Sequence, residues 1–186
     1  MFSQIATRLN PDRLLIRPIA PQDDAALEKL VIDVLTEFGC IGPGYASEDP
    51  EIKSLSTLYR SAESSKMDRG YWVVADGDSQ QVYGGGGFAR LKGTTETDGI
   101  CELQKYYFAY HLRGLGFGRK ILELCIREAR QAGYREMYLE STPQMKKALG
   151  IYEKFGFHYL PGPMGDTGHH SCSVFMSLDL SKSHRG

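Results

Sequence analysis

Between Tyr106 and Lys120 the chain reads YYFAYHLRGLGFGRK. A β-rich run ends there, three glycines follow at Gly114, Gly116 and Gly118, and an amphipathic helical pattern begins. The first amides of a helix have no partner within it. With no Cβ in the way, successive N–H groups at such a turn can converge on one anion, and the helix dipole favours negative charge at that end. The stretch Arg113, Gly114, Leu115, Gly116, Phe117 and Gly118, with Arg119 behind it, therefore predicts a phosphate-binding helix start. A tight strand-to-helix turn would account for fewer glycines. Spacing excludes a second phosphate motif, since no G-x-x-x-x-G-K-[ST] occurs. The G-x-G-x-x-A pattern at Gly84, Gly86 and Ala89 continues as RLKG without opening a helix, so it does not read as a dinucleotide site. Those glycines predict instead a bulge, or something lying close against the strand backbone.

The helix after the glycines keeps Ile121, Leu122, Cys125, Ala129 and Ala132 on one side and ends at Gly133. Upstream, Leu14–Arg17 reads as a first strand, punctuated by Pro18 and Pro21. A helix follows with acids at Asp23 and Asp24 in its first turn and a stripe of Leu27, Leu30, Val31, Val34, Leu35 and Phe38 running to Gly39. The loop 39–48 is polar and reads as surface. Asp49-Pro50 predicts the cap of a second helix carrying Leu55, Leu58, Tyr59 and Ala62. Runs at 71–75, 81–91 and 100–108, separated by DGD and GTTETDG turns, predict an antiparallel meander. The strand EMYLES, a helix begun by Thr142-Pro143 and ended at Gly156, and the strands FHYL and SVFMSLDL complete the order. The fold class is thus mixed α/β, with strand, two helices, three strands, helix, strand, helix and two strands in sequence.

At 186 residues the chain predicts one domain over 1–186, with a core at 12–180 and a frayed tail at 181–186. Its 22 basic and 23 acidic residues leave a formal charge of -1, which argues against nucleic acid or an anionic membrane as partner. The N-terminus MFSQIATRLNPDR has no secretory pattern and no run approaches the roughly 18 apolar residues of a membrane span, so a cytoplasmic protein is expected. Cys40, Cys101, Cys125 and Cys172 lie far apart with no C-x-x-C pair, so free thiols are expected rather than disulfides or a zinc site. His169-His170 read as polar loop residues, and no metal is expected.

Two landmarks carry a family resemblance. Arg113-x-x-Gly116-x-Gly118 after a β-run resembles the Q/R-x-x-G-x-G/A signature of the GCN5-related N-acetyltransferases (GNAT). Ala148-Leu149-Gly150-Ile151-Tyr152-Glu153-Lys154-Phe155-Gly156-Phe157 resembles that family's A-x-x-L/I-Y-E-K-x-G-F. They stand in the order and spacing the family uses, and the resemblance covers nearly the whole chain. It implies a GNAT-like fold, a central and mostly antiparallel sheet splayed between its fourth and fifth strands and flanked by helices. It also implies acetyl-CoA as co-substrate: the backbone of Tyr106, Tyr107 and Phe108 pairs with the pantetheine arm, and the pyrophosphate rests on the amides of 113–118. Tyr110 stands where many relatives carry proline, a departure expected to alter the loop rather than abolish the site.

Acetyl transfer to an amine needs a neutral amine, a polarised carbonyl and a proton for the departing thiolate. An alkylamine near pKa 10.4 is protonated at pH 7, so a base or relay must act. Glu102, on the expected fourth strand, is the candidate base, directly or through water. The alternative is a solvated edge carboxylate, or one paired with Lys105 or another cation. Ile100, Glu102, Gln104, Tyr106 and Phe108 should share a face until a bulge disturbs the alternation. Tyr152 resembles the family's tyrosine that protonates the CoA sulfur, although Met145, Ala148, Leu149, Tyr152 and Phe155 also form an apolar stripe in which it would only pack. Nothing supports an acyl-cysteine route. Acceptor choice should fall to the loops 39–48 and 161–173. There Glu37, Glu48, Asp49 and Asp166 would attract a cationic amine, and His169, His170 and Arg90 would pair with a carboxylate. A small amine, an amino acid and a peptide N-terminus all stay open as acceptor. The expected activity is N-acetyl transfer to a primary amine in a ternary complex. A non-catalytic acyl-CoA sensor, the alternative, would need neither Glu102 nor Tyr152. Exposed strands near the C-terminus leave room for a homodimer.

Overall fold

The computed structural model describes residues 9–59 and 68–182. The expected helical position at Ala62 and the last four residues of the tail lie outside them. Seven strands form one sheet: β1 (Leu14–Pro18), β2 (Gly70–Asp76), β3 (Val82–Arg90), β4 (Ile100–Phe108), β5 (Glu136–Ser141), β6 (His158–Tyr159) and β7 (Val174–Asp179). Their order is β1-β2-β3-β4-β5-β7-β6, and every pair is antiparallel except β4 with β5. The helices are α1 (Asp24–Glu37), α2 (Leu55–Tyr59), α3 (Phe117–Gln131) and α4 (Lys146–Lys154). Among the described residues no helix is long and apolar enough to cross a membrane.

Both sheet faces are covered because the amphipathic stripes demand it. α1 and α2 set Leu27, Leu30, Val34, Leu55 and Tyr59 against Tyr71, Val73 and Ala75 of β2 and Ala89 of β3. On the opposite face Ile121, Leu122, Cys125 and Ala129 of α3 pack with Trp72, Val74, Phe88, Cys101, Leu103 and Met137, and Tyr152 and Phe157 join that cluster.

Several local expectations give way to longer-range bonds. α1 starts after a 3-10 turn at Pro21–Asp23. Asp23 accepts from the Ala20 amide at 2.8 Å and from both Arg17 guanidinium nitrogens at 2.6 and 2.8 Å, while Asp24 holds the start of α2 through the Ser56 amide and hydroxyl at 2.8 and 2.7 Å. Asp49 caps nothing with its side chain. Residues Pro50–Ser54 form a 3-10 turn, and the carboxylate turns inward instead. α4 begins at Lys146, later than Thr142-Pro143, because residues 142–145 form a turn closed by the Met145 amide on the Thr142 carbonyl at 3.1 Å. The loop 39–48 is less superficial than its polarity suggests, with Cys40 and Ala46 buried.

Two irregularities of β4 shape the site. Its ladder with β5 holds only Ile100, Cys101 and Glu102, opposite Glu136, Met137 and Tyr138, and then the strands part. Its ladder with β3 slips, since Gly85 faces Tyr107 but Gly87 faces Gln104. The extra residue is absorbed at Lys105, which has φ 49, a conformation uncommon outside glycine, and whose carbonyl accepts from the Tyr71 hydroxyl at 2.9 Å. The expected alternation therefore breaks there. Gln104 meets Tyr59 of α2, whereas Tyr106 and Phe108 go to the α3 face. The glycine run of β3 makes room for those rings: a Cβ at Gly84 would come within 2.3 Å of Phe108, and one at Gly86 within 2.8 Å of Tyr106.

Candidate active site

At the start of α3, Gly114 and Gly116 both have φ 85, the left-handed region in which glycine is favoured. The amides of Gly114, Gly116, Phe117, Gly118 and Arg119 have no acceptor among the described residues. They form the open donor set that an anion requires. The Tyr106 hydroxyl is buried beneath them without a partner, and a Cβ on Gly118 would lie 2.9 Å from it. Arg113 does not extend its charge into this opening. Its guanidinium bonds both Glu37 carboxylate oxygens at 2.6 and 2.7 Å and the Phe108 carbonyl at 2.9 Å, fastening the end of β4 to the end of α1. The Arg113 bond holds the Glu37 carboxyl below its ordinary range, so Glu37 is spent on Arg113 and not on an incoming amine. Arg119 is exposed and pairs with Glu123 at 2.8 Å. Tyr110 is also exposed, and it opens a short 3-10 turn (Tyr110–Leu112) ahead of the glycines.

Glu102, Gln104, Lys105 and Tyr106 of β4, Leu139 and Glu140 of β5 and Tyr152 of α4 line one pocket where β4 and β5 part. Glu102 is 5 % exposed, so the solvated edge carboxylate is ruled out, and Lys105 pairs with Asp49 rather than with it. Its Oε2 accepts from Gln104 Nε2 at 2.7 Å, and Gln104 Oε1 accepts from the Tyr59 hydroxyl at 2.7 Å. Burial raises the Glu102 pKa, against the opposing pull of the Gln104 bond and of the Lys105 and His169 charges. Tyr152 is 6 % exposed, with its ring 5.8 Å from Tyr106 and 5.7 Å from Phe157. It both packs and lines the pocket. Burial drives its pKa upward, so the phenol keeps its proton at neutral pH. Three of the thiols are poor nucleophiles here: burial raises Cys101 and Cys125, and pushes Cys172 up to about 12.

A charge cluster adjoins the pocket, which its Lys105, Glu140 and His169 line. Asp49 Oδ2 accepts from Lys105 Nζ and lies 2.9 Å from His169 Nε2, while His169 Nδ1 is 3.6 Å from Glu140 Oε2. Glu140 in turn accepts from the Tyr138 hydroxyl at 2.7 Å and from the Thr167 hydroxyl at 3.0 Å. Bonds to Asp49 and then Glu140 raise His169 to about 9, so it is an imidazolium at neutral pH. Burial alone would raise Asp49, but the His169 and Lys105 contacts outweigh it and its pKa is lowered. The loop 161–173 also sits on the loop 39–48 through Ser171, whose amide and hydroxyl donate to the Gly44 and Pro43 carbonyls at 3.2 and 2.9 Å.

His169 thus meets carboxylates of its own chain. Glu37, Glu48, Asp49, Asp166, His170 and Arg90 do not line the pocket. Sequence reasoning missed Glu140 and gave Lys105 no site role. The signal for Glu140 was a carboxylate two residues from Tyr138 on a strand otherwise fit for full burial. Since the folded pKa of His169 is raised above the ordinary 6.5, its contribution to stability is complete below that pH and fades as pH climbs through about 9. Thermal melts across pH 6 to 10 should therefore fall more steeply for the wild type than for His169→Gln.

The parallel strand pair parts after three residues, the helix start is open, and a buried carboxyl and a buried phenol line one pocket beside the parting. Comparison with known proteins identifies the family. The model of the acetyltransferase (GNAT) family matches residues 34–157. The chain is 37 % identical over 171 residues to "Uncharacterized N-acetyltransferase YjgM" of Escherichia coli K12, covering 91 % of this chain and 97 % of that one. It is 28 % identical over 159 residues to the IAA acetyltransferase of Azospirillum brasilense, with 84 % and 95 % covered. Among solved structures, yncA of Salmonella typhimurium with its cofactor acetyl-CoA superposes with a TM-score of 0.70 at 19 % identity, covering 94 % of this chain and 97 % of that one. A GNAT-family acetyltransferase of Staphylococcus aureus Mu50 gives 0.71 at 16 %, with 90 % and 99 % covered. The chain belongs to the GNAT acetyltransferases and is an acetyl-CoA-dependent acyltransferase.

Proposed function

We propose that this chain transfers acetyl from acetyl-CoA to a primary amine by direct attack in a ternary complex, within a single domain. The observation that carries the reading is the pairing of a buried Glu102 with a buried, protonated Tyr152 in the pocket opened by the splay. Bound acetyl-CoA supplies an activated acetyl group as a thioester. The free amides from Gly114 to Arg119 hold its diphosphate, Tyr106 beneath them offers a further donor, and the β5-facing edge of β4 beyond Glu102 offers backbone groups to the pantetheine arm. Glu102, its pKa raised by burial, takes a proton from the ammonium directly or through water. Tyr152 gives a proton to the departing sulfur. The ammonium loses two protons in all, one ending on the thiol and the other in solvent. Four free thiols support a reducing compartment, and we assign the reaction to the cytoplasm.

CoA release measured with a panel of amines tests the reading, and initial rates should give intersecting lines rather than the parallel lines of an acyl-enzyme. Absence of amine-dependent CoA release would overturn it. The helix start carries its own prediction. Gly116→Val places a branched side chain at φ 85, which costs about 1–2 kcal/mol. Relief of that strain draws the turn's amides out of convergence, and calorimetry should find acetyl-CoA bound about tenfold more weakly.

A further inference from the structure

We propose that the acceptor is a free amino acid, its carboxylate received by Lys105 and its amine presented to Glu102; this rests on the acetyl-transfer reading above. Lys105 is held in a left-handed conformation inside β4, a cost that a strand residue bears when its side chain must be re-aimed. The Tyr71 hydroxyl on its carbonyl fixes that turn. The side chain is 9 % exposed, and Lys105 lines the pocket.

The donors and acceptors there are unevenly spent. Glu140 is filled by Tyr138, Thr167 and the neighbouring His169, and His169 has a carboxylate on each ring nitrogen. Lys105 and His169 both converge on one oxygen of Asp49. Of the three Lys105 N–H bonds, only that one to Asp49 has an acceptor among the described residues. Two of its N–H bonds are left for a further anion, and its positive charge repels an ammonium. The ammonium of an acceptor is therefore steered away from Lys105 to Glu102, three residues earlier on the same strand. An amine and a carboxylate a few bonds apart match that division, and a simple alkylamine or a polyamine does not.

Matched pairs test the inference: alanine, methionine and phenylalanine against their amides, read as kcat/KM for CoA release, with the corresponding decarboxylated amines alongside. The wild type should favour the acid over the amide by at least about tenfold, which corresponds to 1.4 kcal/mol. Lys105→Met should bring that ratio close to one through KM, and Lys105→Arg should restore part of it. A wild-type ratio near one, preference for the decarboxylated amines, or an unchanged ratio in Lys105→Met would overturn the amino-acid assignment while acetyl transfer to amines stands. No turnover of any amine would overturn both. The wild-type ratio decides even if a variant fails to fold.

Discussion

Replacing Tyr152 by phenylalanine should lower kcat by about 10²- to 10³-fold, the range expected when a positioned acid is removed. The substitution deletes one oxygen and leaves the ring that packs against Tyr106 and Phe157. The melting temperature should therefore move little, and calorimetry should find acetyl-CoA affinity within about twofold of the wild type. That combination separates chemistry from packing, since a residue of the apolar stripe alone would leave kcat unchanged. Unchanged turnover would remove Tyr152 as the acid.

The second large effect is expected from Glu102→Gln. An amide of nearly the same shape can still meet Gln104, but it cannot accept a proton, and kcat/KM should fall by about 10²- to 10⁴-fold. The pH profile should change shape as well. In the wild type the acidic limb follows ionisation of Glu102, displaced upward by burial, whereas in the variant that limb disappears and the residual rate tracks the free amine. Stability should move in the opposite sense. A carboxyl whose folded pKa is raised holds its proton more tightly when folded, so its ionisation erodes stability as pH rises through that value. Glutamine does not ionise, and the variant should melt higher than the wild type at alkaline pH. A kcat/KM within a few-fold of the wild type would remove Glu102 as the base.

Much of the architecture was legible because it is written in local rules. The stripe from Leu27 to Leu35 and that from Ile121 to Ala129 pack where their periodicity requires. Gly114 and Gly116 take the backbone conformation that their spacing implied. The charge cluster was not legible, for a physical reason. Asp49 before Pro50 satisfies every local preference for a helix cap, yet its carboxylate is claimed by Lys105 and His169, far away in sequence. Ion pairs of that kind depend on which loops meet, and no window of neighbouring residues contains that information. The bulge was anticipated in kind but not in place. Only the close neighbours of all four, Phe108 at Gly84, Trp72 at Gly85, Tyr106 at Gly86 and Gly70 at Gly87, reveal why β3 carries four consecutive glycines.

The single surplus residue at Lys105 works as a phase shifter. Ahead of it, β4 sends Glu102 and Gln104 toward the side of the sheet shared with α2, and behind it Tyr106 and Phe108 are dealt to the side shared with α3. One continuous strand thereby presents side chains to opposite surfaces before and after the bulge, and shortening it by that one residue would turn its whole second half over.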